Sequence, residues 1–452
     1  LGKIIPTELG TESVAKLLRK YAVPSIVAMV ATSLYNMVDS IYIGQGVGTD
    51  ALAGLALTFP IMNLSAALGA MIGVGSSAII SMLLGQKNYE MANKVFGNSI
   101  TLNIIVGVLF MTGMLLFLNP ILYFFGGSEQ TVPYAREYMI IILAGNVFTH
   151  IYLGSNAVLR AAGFPKKAMI ATFVAVGLNT VLDPIFIFVF DWGIRGAAVA
   201  TILAQIIGLV WQMRIFTNRN NVVHYDKGIY KLIPRVVGDI LSIGASPFAI
   251  NSAACFVVIL INQGLKVYGG DMAIGAYGII NRIGFVFVMI VLGLNQGMQP
   301  IAGFNYGAKN YGRLLSVLKL TLIYATSIAT LGFILAEFFP HLFLRAFTRD
   351  EELIELATPA IRIFFSAFLI VGISMVAGNF FQSIGMAGKS IFLSLSRQLI
   401  FLAPLLIILP KFFGLNGVWM SMPISDAIAS ILASILLFIY VAKFRKLARN
   451  EQ

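Results

Sequence analysis

The chain has 452 residues; 58% are hydrophobic, only 11% are charged, and the mean hydropathy is +0.89. Soluble domains carry about 25% charged residues, so this composition excludes an ordinary soluble enzyme and indicates a multi-pass membrane protein. The net charge of +12 does not point to nucleic acid, because the basic residues gather at the ends of apolar stretches.

Apolar runs predict an all-α membrane protein of twelve helices, at about 14–44, 51–84, 91–118, 132–161, 167–190, 194–218, 239–265, 272–305, 310–339, 354–385, 389–410 and 416–443. The first helix is the most informative. Pro24 cannot donate a helix bond and tends to bend the helix near its start. Tyr35 and Asp39 are four apart and share a face near its far end. A carboxylate at bilayer depth is expensive and survives when it faces a cavity or a partner, so Asp39 suggests a moving part of a transporter. In the second helix Gly69, Gly73 and Gly75 allow close helix contact. The fifth helix carries Asn179, Asp183 and Pro184, and the sixth Thr201.

The longest polar linker, Asn218–Pro234, divides the chain, and the halves repeat. Gly85-Gln-Lys87-Asn88-Tyr89 returns as Gly307-Ala-Lys309-Asn310-Tyr311, an offset of 222. Gly163 and Lys167 match Gly385 and Lys389 at the same offset, and Pro24 matches Pro247 at 223. Six helices per repeat is an even number, so the halves share orientation. They are expected to form two lobes about a pseudo-two-fold axis along the membrane normal, with a central cavity. The expected domains are residues 1–218, a linker at 219–238, and 239–452.

Of the 31 lysines and arginines, 22 lie at one set of helix ends, six at the other, and Arg282, Arg362 and Arg397 within spans. The rich side is expected to be cytoplasmic, which puts both termini and the linker inside and the 340–353 loop outside. The single cysteine, Cys255, cannot form an intrachain disulfide, and His150, His224 and His341 lie far apart in sequence. No phosphate-binding loop or nucleophile motif stands out, so neither an enzyme nor a cofactor is expected.

The Pro24…Asp39 helix, the Gly85–Tyr89 loop with its copy, and Asn179…Asp183-Pro184 together resemble the MATE (multidrug and toxic compound extrusion) transporters, along essentially the whole chain and closer to the DinF-like bacterial branch than to the eukaryotic one. The resemblance implies a V-shaped two-lobe fold in the bacterial inner membrane, alternating access, and export of small organic compounds driven by proton or sodium influx. It implies a coupling cluster at Tyr35, Asp39, Asn179, Asp183 and Thr201. The sequence departs from the family in the second lobe. Helix seven holds only Asp239, at its cytoplasmic end, and helix ten only Glu355, at its outer end.

Depth supports the cluster independently. Asp39 lies roughly 28 Å beyond Lys20, Asp183 roughly 24 Å and Asn179 roughly 18 Å beyond Lys167, and Thr201 roughly 10 Å from Arg195 on the opposite side. These depths overlap in the outer half of a bilayer core of about 30 Å. Pro184 has no N–H for the carbonyl of Thr180, which adds a possible backbone oxygen. The donors are hard oxygens, suited to sodium at Asp39, Asn179, Asp183 and Thr201, or to a shared proton. The remaining deep acid is Asp426 in helix twelve. An unpaired charge there is costly, so it is expected to pair with Arg397, or failing that Arg282, as a structural tie in the second lobe. The leading expectation is a monomeric, cation-coupled exporter of amphipathic or cationic compounds in contact with membrane lipid. The alternative is a flippase for a lipid-linked or anionic substrate. An intramembrane lipid transferase would need Asp-rich cytoplasmic loops, and those loops are basic here.

Overall fold

The computed structural model describes residues 6–449, and among these every regular element is a helix. Twelve helices of membrane length follow in order: α1 Val14–Gly46, α2 Thr49–Gly85, α3 Tyr89–Leu116, α4 Val132–Ala161, α5 Pro165–Val189, α6 Gly193–Thr217, α7 234–269, α8 271–307, α9 Tyr311–Phe338, α10 Glu351–Ser383, α11 387–413 and α12 415–449. Short helices at Glu8–Thr11, Leu118–Phe124 and Pro340–Phe347 were not anticipated from hydropathy.

Three further details depart from the sequence reading. Helix α7 begins at Pro234, inside the expected linker. Helical structure runs on from α7 into α8 and from α11 into α12, broken only at Gly270 (φ 68°) and Gly414 (φ 56°). Left-handed φ is open to glycine, so each turn is made in a single residue. Helix α10 is two pieces, Glu351–Phe365 and Phe368–Ser383, bent by 50°. At the bend the Ser366 hydroxyl donates to the Ile363 carbonyl at 2.7 Å, in competition with the helical bond.

The repeat is written into the backbone. Left-handed residues recur in pairs: Gly48 and Gly270, Lys87 and Lys309, Gly163 and Gly385, Gly193 and Gly414. Lys87 and Lys309 both have φ 60°, and the asparagine after each caps the next helix. The Asn88 side chain accepts from the Met91 N–H at 3.2 Å, and Asn310 accepts from Arg313 at 3.3 Å. The repeated Lys-Asn-Tyr is therefore a turn-and-cap signal.

The chain forms two compact units, but the division does not fall at the linker. One unit comprises Leu1–Thr11 and Val27–Phe248, the other Glu12–Ile26 and Ala249–Gln452. The start of α7 thus belongs with the first unit, and the start of α1 with the second. Glycines make both attachments. A Cβ at Gly75 of α2 would lie 2.1 Å from the Ile240 carbonyl oxygen of α7, and one at Gly244 would lie 1.9 Å from the Met71 oxygen. In the second unit a Cβ at Gly293 or Gly297 of α8 would lie 2.5 Å from the Cα of Ile26 or Ala22. Only glycine permits backbones this close. Gly75 and Gly297 are themselves repeat partners, so the same crossing occurs once in each unit.

The first unit also holds the linker. Asn98 of α3 donates to the carbonyls of Lys231 (2.9 Å) and Ile229 (3.3 Å) and accepts from the Ile233 N–H at 2.8 Å. Thr101 donates to the Tyr230 carbonyl at 3.0 Å, and Asn93 accepts from the His224 N–H at 2.9 Å. This segment is clamped along α3, with Gly97 leaving room for the Ile229 backbone.

Candidate functional site

The site is built in the first unit, where α1, α4, α5 and α6 meet. Pro184 ends the regular part of α5, and a π-helical turn, Ile185–Val189, follows. The Ile185 N–H turns to the Leu182 carbonyl instead of continuing the α pattern. Two glycines seat their helices against this turn. A Cβ at Gly46 of α1 would lie 2.6 Å from the Ile187 side chain, and one at Gly196 of α6 2.8 Å from the Phe186 carbonyl. The close fit aligns the far end of α1 and the start of α6 with Asp183.

All five residues expected in the cluster come together. The Tyr35 hydroxyl donates to Asn179 Oδ1 at 2.9 Å and lies 3.4 Å from Thr201 Oγ1. Thr201 itself donates to the Ala197 carbonyl at 3.0 Å. Asp39 and Asp183 are 8% and 0% exposed, and their carboxyl groups are neighbours. Among the described residues Asp39 Oδ1, both oxygens of Asp183 and the Asn179 amide nitrogen have no hydrogen-bond partner. Two adjacent buried carboxylates with unmet oxygens repel each other unless a positive charge sits between them. The oxygens of Asp39, Asp183, Thr201 and Tyr35 are suited to a proton or a sodium ion. Asn179 differs from expectation in one respect: its carbonyl oxygen is already engaged by Tyr35.

A sixth residue was missed. Tyr138 of α4 is 2% exposed, beside Thr201 and within electrostatic reach of Asp39 and Asp183. It is six residues from the α4 start at Val132, roughly 9 Å deep, close to the depth of Thr201. Matching polar groups by depth across all helices would have found it.

In the second unit Arg397 Nε donates to Asp426 Oδ1 at 2.6 Å, so the acid has the first of its two expected partners. Arg397 lies in a second π-helical turn, Ser396–Leu402. Arg282 on α8 is exposed and makes no ion pair or hydrogen bond among the described residues. Arg362 donates to the Glu337 carbonyl at 3.2 Å, with the Glu337 carboxylate 3.9 Å away. Asp239 and Glu355 are both exposed. Among the described residues no group of three or more His, Cys, Asp or Glu side chains could hold a metal ion. Pro24 lies inside α1, three residues before the point where that helix passes between the units.

The MatE family model matches residues 24–185 and again residues 247–408. The chain belongs to the MATE transporter family. The two matches start 223 residues apart, as Pro24 and Pro247 do, so this MATE chain carries the family unit twice. It is similar to the multidrug export protein MepA of Staphylococcus aureus (strain MSSA476), with 26% identity over 426 residues and 94% of each chain covered. It is also similar to MATE crystal structures in a bent conformation (TM-score 0.93, 25% identity, 99% and 100% of the two chains) and in a straight conformation (TM-score 0.92, 26% identity, 98% and 100%). As a MATE protein it is a transporter and not an enzyme.

Proposed function

We propose that this MATE transporter is a cation-coupled antiporter that exports amphipathic or cationic organic compounds by alternating access, with protons or sodium as the driving ion. The export reading is supported by its similarity to MepA, described as a multidrug export protein. The coupling reading rests on one observation: two adjoining buried carboxyls, Asp39 and Asp183, with three oxygens left without a donor among the described residues. A cation bound there neutralises the repulsion and changes the contacts that hold the far end of α1. That helix begins in one compact unit and ends in the other, with Pro24 near the crossing. Binding that favours one bend of α1 over another shifts the population between two conformations. We take the basic-rich helix ends, both termini and the 219–234 linker to be cytoplasmic in the bacterial inner membrane. The protein is taken to act as a monomer.

The flippase reading requires a cavity rich in free basic groups. Of the three arginines within spans, Arg397 and Arg362 are engaged by acids, which leaves Arg282. The deciding experiment is efflux from proteoliposomes under an imposed pH gradient and, separately, a sodium gradient. Asp39→Asn keeps shape and polarity and removes the charge, so it is expected to abolish gradient-driven efflux with folding intact. Normal efflux by that variant would sink the coupling site.

A further inference from the structure

At the basic-rich end of α5 and α6 the first unit has a cavity of about 270 Å³, lined by Lys167, Trp211, Arg214, Ile215, Asn218 and Asn221. No acidic side chain lines it. Lys167 and Arg214 are exposed and make no ion pair or hydrogen bond among the described residues; Lys167 Nζ lies 4.4 Å over the Phe164 ring. Lys167 sits in the first turn of α5, the positive end of a 20-residue α-helix that leads into the π turn. Two unmatched cations and a helix start therefore face one small cavity. This lining is complementary to an anion.

The surroundings say which kind of anion. The two helices pack side by side, and their exposed residues continue from the cations toward the bilayer interior. Lys167 is followed by Ile170 and Phe173 on α5, and Arg214 is preceded by Val210, Ile207 and Leu203 on α6, all exposed apolar side chains at helical spacing. Trp211, 38% exposed, stands between cations and stripe, where an indole suits the membrane–water boundary. A charged head held by Lys167 and Arg214 would lay its hydrocarbon along these stripes. The second unit has a related corner, where Lys389, the repeat partner of Lys167, and Lys443 both lie over the Tyr440 ring.

We propose that this corner binds the phosphate of an anionic glycerophospholipid, with Arg214 and Lys167 clasping the headgroup and the acyl chain lying along the exposed apolar stripes of α5 and α6. The test uses the full chain in detergent, with phosphatidylglycerol, phosphatidylcholine or inorganic phosphate added. Bound lipid is counted by native mass spectrometry, and stability is followed by thermal unfolding. Phosphatidylglycerol is expected to bind and raise the unfolding temperature, whereas phosphatidylcholine and inorganic phosphate are not. At about 1 kcal/mol per cation, K167Q/R214Q weakens phosphatidylglycerol retention roughly thirty-fold and each single variant roughly five-fold. K446Q/R449Q removes the same charge at the far end of α12 and is expected to retain the lipid. Three outcomes overturn the proposal: undiminished binding by K167Q/R214Q, an equal loss in K446Q/R449Q, or phosphatidylcholine or inorganic phosphate reproducing the stabilisation.

Discussion

Replacing either member of the Arg397–Asp426 pair should destabilise the protein, and replacing both should recover part of the loss. At 2.6 Å two unit charges attract by about 6 kcal/mol at an effective dielectric near 20. The Arg397 side chain is 36% exposed, however, so screening roughly halves this to about 3 kcal/mol. The two single variants should also differ. Asp426→Asn leaves a guanidinium with access to its exposed side, at a cost of about 2 kcal/mol. Arg397→Gln leaves the carboxylate, only 10% exposed, with no counter-charge, at a cost of about 3–4 kcal/mol. With a coupling energy near 3 kcal/mol, Asp426→Asn with Arg397→Gln should be more stable than Arg397→Gln alone. The assay is the fraction of monodisperse protein left after graded heating in detergent. Efflux by the double variant adds a second readout, because a structural tie leaves transport largely intact where a coupling acid does not. A double variant no more stable than the worse single variant would mean that Arg397 and Asp426 are not coupled.

Three further predictions concern the first unit and the helix crossings. Tyr138→Phe removes the hydroxyl beside Thr201 and within electrostatic reach of Asp39 and Asp183, and is expected to lower gradient-driven efflux severalfold with little change in stability; unchanged efflux would remove Tyr138 from the site. Asn98→Ala deletes three hydrogen bonds to the linker, worth about 2–3 kcal/mol together, and should speed tryptic cleavage at Lys227 and Lys231; an unchanged cleavage rate would mean that the clamp is unimportant. Gly297→Ala puts a methyl 2.5 Å from the Ala22 backbone and should destabilise by about 1–3 kcal/mol, whereas Gly238→Ala, with nothing within 4 Å, should be neutral or slightly stabilising; the opposite order would contradict the close crossing of α1 and α8.

Much of this protein follows from the order of its residues alone. Apolar runs are long enough to span a bilayer wherever they fall, so the twelve helices could be read directly. A helix advances by about 1.5 Å per residue, so depth is a property of sequence position. That is why Asp39, Asn179, Asp183 and Thr201 could be matched by level. The same arithmetic brought Asp426 to the depth of Arg397, with which it pairs at 2.6 Å. The repeated Lys-Asn-Tyr marked a turn and cap made twice, because left-handed backbone and an asparagine cap are local devices. Rotation about each helix axis, and the choice of neighbour, are not local. Tyr138 has the right depth, but only the packing of α4 against α1, α5 and α6 turns it toward the acids. Gly75 and Gly297 read as small residues in apolar helices, and only the tertiary structure shows which backbones they admit. Those contacts assign the start of α7 to the first unit and the start of α1 to the second, across a boundary that composition had drawn at the linker. A polar linker marks where the chain is wet, whereas a compact unit is defined by which backbones approach closely, and that is decided by packing between residues more than 150 positions apart.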